Sequence, residues 1–264
     1  MIKSSLRQWV LLSLCMASGA TGAVEKQGAT FAQANNPLSD MNGFSTQNYY
    51  TGKISGTDQD ANQLWLRYAQ AFSVGESRWV YRASLPVNTY PVPPGGGHRT
   101  GVGDFNVIAS WLINTGTRGV SFGLGPQLTV PTASDDATGT EKWSAGLVNV
   151  LFNASSPRFQ YGYLATWQHS FAGNDDRSNV NLGTFQTVMF YQLGGGTYLR
   201  ASPIWAYNFH NNSYSVPLGL GVGQVIKKSK ATFNIYVEPQ WSVADRGPGQ
   251  PKWQVLAGLG IQFF

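Results

Sequence analysis

The stretch TFNIYVEPQWSV, residues 232–243, alternates without a break. One side carries Phe233, Ile235, Val237, Pro239, Trp241 and Val243, and the other Thr232, Asn234, Tyr236, Glu238, Gln240 and Ser242. Successive side chains of a β-strand point to opposite faces, so this segment has one apolar, aromatic face and one polar face with a single charge. A sheet whose polar face meets bulk water is rich in Lys and Glu. A face of amides, hydroxyls and isolated charges suits a confined lumen instead.

The same pattern recurs along the chain. Residues 159–168 set Phe159, Tyr161, Tyr163, Ala165 and Trp167 against Gln160, Gly162, Leu164, Thr166 and Gln168; residues 78–88 set Trp79, Tyr81, Ala83, Leu85 and Val87 against Arg78, Val80, Arg82, Ser84 and Asn88. Eleven such segments lie near 61–74, 77–90, 101–114, 118–131, 142–154, 158–171, 179–193, 196–208, 213–227, 230–243 and 252–263, with a weaker twelfth at 44–54. Most exceed the roughly 5 to 6 residues of soluble strands. A tilted membrane strand needs about 9 to 11 residues for the apolar band, plus extensions. Short connections (VGES, NTGTRG, SSPR, GGG, KKSK) alternate with longer polar ones such as PVPPGGGHRT, PTASDDATGTE and ADRGPGQP. This predicts an all-β fold, a transmembrane antiparallel up-and-down β-barrel of about twelve strands, with both termini in the periplasm and the long loops outside.

Composition agrees. Charged residues make up 12% of the 264, about half the usual share for a soluble globular protein. The aromatics number 9 Trp, 12 Tyr and 14 Phe, with 31 Gly, and no apolar run is long enough for a membrane helix. At the N-terminus, Lys3 and Arg7, the apolar run Trp9 to Ala17 and the small residues ASGATGA form a cleavable export signal over 1–23. Residues 24–43 are expected to be a periplasmic or lumen-plugging segment and 44–264 the barrel. Cys15, the lone cysteine, lies in the signal after the bulky Leu14, which argues against lipidation. Removing the signal takes the formal charge from +5 to +3, since Lys3 and Arg7 leave with no acid. That scattered balance excludes nucleic acid as a partner.

Enzyme chemistry finds little support. His169 and Ser170 are neighbours on a strand and must face opposite ways, so they cannot form a base–nucleophile pair. His98, His169 and His210 are too dispersed for a metal site. GGGHRT at 95–100 lacks the Lys-Ser/Thr of a phosphate loop, and GLGVG at 219–223 misses the dinucleotide fingerprint. No catalytic residue, metal or cofactor is expected. Strand parity instead places Arg67, Arg78, Arg82 and Arg200, with Asp104 and Glu238, on the lumen side. They are either a positive wall favouring anionic solutes or an Arg–carboxylate network tying strands together. Lumen-facing glycines (Gly123, Gly125, Gly219, Gly221, Gly223, Gly258, Gly260) leave room either for solute or for bulky neighbours. Pro203, Pro217 and Pro239 fall in three consecutive strands within about two residues of one level. Each removes a ladder donor, marking either bulges filled by other groups or a lateral opening.

The chain resembles Gram-negative outer-membrane proteins related to the family named for the MetA pathway of phenol degradation, some of whose members carry the label neuromedin U. The resemblance rests on NPL at 36–38, STQNYYTG at 45–52, RASLPVNT at 82–89, RTGVGDF at 99–105, GPQLTVPTAS at 125–134 with GTEKWSAG at 139–146, YLRASPIWAYNF at 198–209, PLGLGVGQVIK at 217–227 and VEPQWSV at 237–243. STQNYY departs from the usual LQNWY, and the turn in VGQVIKKSK is more basic than the pattern. The resemblance implies an outer-membrane barrel with a link to uptake of hydrophobic compounds or small solutes; together with the lumen arginines, the expected function is an outer-membrane channel or transporter for passive passage of small hydrophobic or anionic compounds. The alternatives are a plugged structural or adhesive barrel and, further off, a barrel lipid hydrolase. The partners expected for such a barrel are outer-membrane lipids, the barrel assembly machinery and an unidentified small solute. The resemblance also implies that the C-terminal aromatics, Phe263 and Phe264, serve as the assembly signal, with parity selecting Phe263 for the lipid face.

Overall fold

The computed structural model describes residues 35–36, 38, 42–92 and 97–263. The export signal, most of the 24–43 segment and Phe264 lie outside the described residues. The first half of the chain forms β1 (Asn42–Ile54), β2 (Ala61–Val74), β3 (Ser77–Pro91), β4 (His98–Val102), β5 (Phe105–Ile113), β6 (Val120–Val130) and β7 (Lys142–Asn153). The second half forms β8 (Phe159–Gly173), β9 (Asn181–Gly194), β10 (Thr197–Ala201), β11 (Ile204–Asn208), β12 (Ser213–Gly219), β13 (Gly221–Lys227), β14 (Ala231–Arg246) and β15 (Pro251–Phe263).

Every pairing is antiparallel, and β1 pairs with β15, so the sheet closes on itself. Three staves are each split in two (β4 with β5, β10 with β11, β12 with β13), so fifteen strands make a twelve-stave barrel. The breaks correct the expectation of unbroken strands over 101–114, 196–208 and 213–227, and each has a local cause. At Gly103 the backbone N–H donates to Pro86 O at 2.8 Å while Asp104 turns to hold a loop. Pro203 cannot donate to the ladder, and Leu220 lies opposite the proline level. The weak first strand is real and starts earlier than expected, at Asn42, because Asn42 and Gly43 pair with Phe263 and Gln262.

The even stave count brings β1 and β15 to one end together, where Asn42 pairs with Phe263. The tight turns are at that end. The GGG turn is one of them: Gly194 pairs with Thr197, and Gly195 and Gly196 both take positive φ (60° and 85°), as a two-residue hairpin matching the strand twist requires. The longer loops gather at the opposite end.

Outward-facing residues are apolar and exposed along every stave. On β14 these are Ile235, Val237, Trp241 and Val243, while Glu238 and Gln240 on the inner face are fully buried. Aromatics concentrate toward the two rims: Phe72, Trp111, Phe159, Tyr161 and Tyr191 near the turn end, and Tyr50, Trp143, Trp167, Phe171 and Trp241 toward the loop end. Leu124, Leu147, Met189, Val222 and Leu259 lie between them. An apolar band between aromatic girdles is the outer surface of a transmembrane barrel.

Candidate functional site

The lumen is divided into chambers by its own side chains. A polar chamber of about 480 Å³ lies toward the loop end, lined by Gln63, Ser84, Asn88, Asn106, Gln127, Thr129, Thr166, Gln168 and Thr184, with Trp65, Leu182 and Ile204. A more apolar chamber of about 260 Å³ follows, walled by Leu38, Val80, Ile108, Val150, Phe152 and Val188. Beyond it a mouth of about 700 Å³ opens at the turn end, where Glu76 and Arg78 stand. Arg67, Arg82, Leu164 and Gln186 line both inner chambers and so form the waist between them. Asn36 and Leu38 line both the apolar chamber and the mouth. Both precede β1 in sequence, and their neighbour Asn35 is tied to the wall by the Asn234 side-chain N–H donating to Asn35 Oδ1 at 2.8 Å.

The six charged residues that parity assigned to the lumen divide into distinct roles. Arg67 and Arg82 face the waist. β2 and β3 pair Arg67 with Ser84 and Ala69 with Arg82, which makes the two arginines diagonal neighbours on one face. Arg67 donates to Gln47 and lies 4.8 Å from the centre of the Trp65 ring. Among the described residues neither arginine has a carboxylate partner. Arg78 stands apart, at the turn-end rim.

Arg200 and Glu238 are buried in the wall as an ion pair, Nε to Oε2 at 2.7 Å, with 6% and 0% of their side chains exposed. Glu238 is saturated: it also accepts from the Ser202 backbone N–H at 2.9 Å, Ser202 Oγ at 2.8 Å and Gln240 Nε2 at 2.8 Å. Arg200 lies 3.6 Å from the centre of the Tyr236 ring and donates to Ser202 Oγ. Desolvating a charge pair is tolerable only when its remaining hydrogen-bonding capacity is met, and here it is. These two of the six form a structural network. Asp104 has a role of its own. Its carboxylate accepts from Thr140 N at 2.7 Å, Thr140 Oγ1 at 2.6 Å and Ala133 N at 3.3 Å, holding loop 131–141 inward. Asn88 donates to Thr138 O at 2.8 Å, so that the loop lines the polar chamber.

One row of cross-strand partners explains the lumen glycines. Tyr198 pairs with Gly223, Gly223 with Tyr236, Tyr236 with Gly258, and Gly258 with Gln47. Each tyrosine ring lies over the glycine beside it. A Cβ on Gly223 would sit 2.3 Å from Tyr198 Cζ, and one on Gly258 2.2 Å from Tyr236 Cζ. Crossing the glycine lets Tyr236 Oη accept from Gln47 Nε2 at 2.7 Å, and lets Tyr198 Oη reach Asn234 Oδ1 at 2.5 Å. Of the two uses expected for these glycines, Gly223 and Gly258 show room for bulky neighbours. Parity could not identify Gln47, Tyr198, Tyr236 or Ser202 as network members. The available signal was the row alternation of tyrosine and glycine, visible only once the register is known.

The three prolines gather where two adjacent staves are broken. From Ala206–Ser215 and Leu199–Val222, Pro203 falls opposite Leu218, one residue from Pro217. From Val222–Val237 and Gly219–Gln240, Pro239 falls opposite Leu220, three residues from Pro217. A bulge separates Val216 from Pro217. The seam is bridged on both faces. Inside, Glu238 takes the Ser202 N–H; outside, Trp205 Nε1 donates to Pro217 O at 3.0 Å.

At the loop end His169 is exposed, whereas Ser170 is buried and donates to Asn179, so the two face opposite ways. Among the described residues no group of three or more His, Cys, Asp or Glu side chains could hold a metal ion. Phe263 is half exposed on the outer face, as its parity requires.

No known family's sequence profile matches the chain, and no curated protein does. Similarity appears at the level of structure. An outer-membrane channel from Pseudomonas putida F1 superposes with a TM-score of 0.66 at 12% identity, over 87% of this chain and 98% of its own. The NanC porin superposes with a TM-score of 0.50 at 12% identity, over 84% of this chain and 99% of its own. At these identities the likeness is one of fold: a barrel of the outer-membrane type.

Proposed function

We propose that the chain is a narrow outer-membrane channel for passive passage of small solutes, oriented with both termini in the periplasm. The observation carrying this reading is the succession of chambers along the lumen, meeting at a waist whose charged groups are Arg67 and Arg82. A barrel that only had to be stable would fill this space with side chains, as small barrels do. Among the described residues neither Arg67 nor Arg82 has a carboxylate partner, and a positive waist favours anions. The structural likeness to a channel and to a porin is in keeping with this. Planar-bilayer recordings test the proposal: discrete conductance steps support it.

A second reading is favoured by one feature. Asn36 and Leu38 stand between the apolar chamber and the mouth, so the segment before β1 would close the channel at rest. Deleting residues 24–41 should then raise conductance, and equal conductance with and without them removes the plug. A lateral exit at Pro203, Pro217 and Pro239 would require the Arg200–Glu238 bridge to part. Loss of that pair should then raise leakage of apolar dyes from the lumen. We assign no catalytic residue.

A further inference from the structure

Four polar atoms near the waist are buried and have no hydrogen-bond partner among the described residues: Arg67 Nε, Arg82 Nε, Tyr49 Oη and Ser84 Oγ. They lie on three adjacent staves, β1 to β3, on the face turned to the lumen. Native barrels rarely leave such groups unmet, and each instance calls for an explanation. All four can donate, and two belong to guanidinium groups. The engaged acids are elsewhere, Glu238 on Arg200 and Asp104 on loop 131–141. Two diagonal cations with spare donors and no carboxylate describe half of a charge-assisted site.

The chambers on either side differ in degree. Toward the loop end amides and hydroxyls predominate, beside Trp65, Leu182 and Ile204. Toward the turn end the wall carries Leu38, Val80, Ile108, Val150, Phe152 and Val188, with Ser110, Asn234 and Gln262 among them. A ligand seated at the waist would therefore have its charged end between two guanidinium groups and its body against aliphatic and aromatic carbon.

We infer that the waist is a binding site for a small carboxylate with a compact apolar body, the carboxylate held by Arg67 and Arg82 and the body lodged in the apolar chamber below them. The inference rests on the channel reading and gives it a solute class. A simple inorganic anion would use the arginines but gain nothing from the apolar walls. A neutral hydrocarbon would fit the walls but leave the donors unmet. Only an amphiphilic anion satisfies both halves, and its passage is a transfer from a polar vestibule through a cationic ring into an apolar chamber.

Transient block of potassium chloride current in planar bilayers tests this, with cyclohexanecarboxylate, acetate and cyclohexylmethanol added in turn. Cyclohexanecarboxylate should block at a concentration about tenfold or more below the other two, the scale of one charge-assisted hydrogen bond. Arg67→Gln and Arg82→Gln should each raise its blocking concentration by about that factor, and Arg82→Lys should restore most of the effect. Val188→Gln should weaken block by cyclohexanecarboxylate while leaving acetate unchanged, and it probes the apolar half should the arginine variants not fold. Equal block by acid and alcohol, or block indifferent to both arginines and to Val188, overturns the inference and leaves the channel standing. A wild-type barrel without any current overturns the channel reading itself.

Discussion

Gly258 shows how one residue with no side chain organises the inner wall. The ring of Tyr236 lies where a Cβ would be, 2.2 Å from Cζ, and through that space it reaches Gln47 on the far side of β15. Gln47 in turn accepts from Arg67, so the glycine indirectly sets one wall of the waist. Gly258→Ala should force the ring out, break the Tyr236–Gln47 bond and destabilise the barrel by about 1–3 kcal/mol. Urea unfolding followed by the heat-shifted gel mobility of folded barrels measures this, and an unchanged midpoint would mean that the ring has another resting place. Glu238 is the complementary case. With 0% of its side chain exposed and four donors on it, Glu238→Gln leaves the Arg200 guanidinium buried without its counter-charge. Breaking a buried pair in this way costs about 3–5 kcal/mol, so the variant should unfold at clearly lower urea. Replacing both Arg200 and Glu238 with similarly sized apolar residues should cost less than Glu238→Gln alone.

At the level of strands, alternation carried most of the information. TFNIYVEPQWSV predicted the inner and outer faces of β14 residue by residue because a strand has only two faces and lipid accepts one of them. The alternating lengths of the connections predicted which end holds the turns. What stayed illegible were the breaks at Ser202–Pro203, Leu220 and Gly103–Asp104. Alternation continues through a missing ladder bond, and it cannot show that a side chain such as Glu238 replaces the bond. The division of the six lumen charges into waist, rim, wall and loop anchor was illegible for a related reason. Parity gives direction only, and partners depend on register between strands far apart in sequence. The last strand makes its own prediction. Phe263 pairs with Asn42 on one side and Ala231 on the other and faces outward, where an assembly factor could read it. Phe263→Ala should lower the yield of heat-modifiable barrel in membranes more than Phe264→Ala. The reverse order would put the recognised aromatic in the other register.

The whole molecule is a closed barrel with its polarity turned inside out: aliphatic and aromatic residues face lipid, while amides, hydroxyls and a few charges face a segmented lumen. Twelve staves lie between small filled barrels and open porins, and the interior reflects this, with chambers separated by side chains instead of a clear bore. Asn36 and Leu38 line the lumen toward the turn end and loop 131–141 toward the loop end, with Arg67 and Arg82 as the charged part of the waist between them. Channel function of this kind requires that ions cross there under the control of those two guanidinium groups. Reversal potential across a planar bilayer holding a salt gradient measures this in one experiment. The wild-type barrel should conduct with preference for anions, and Arg67→Gln with Arg82→Gln should move the potential toward the cation side while conductance persists. A barrel that conducts with the same selectivity after both substitutions, or that prefers cations from the start, contradicts the account.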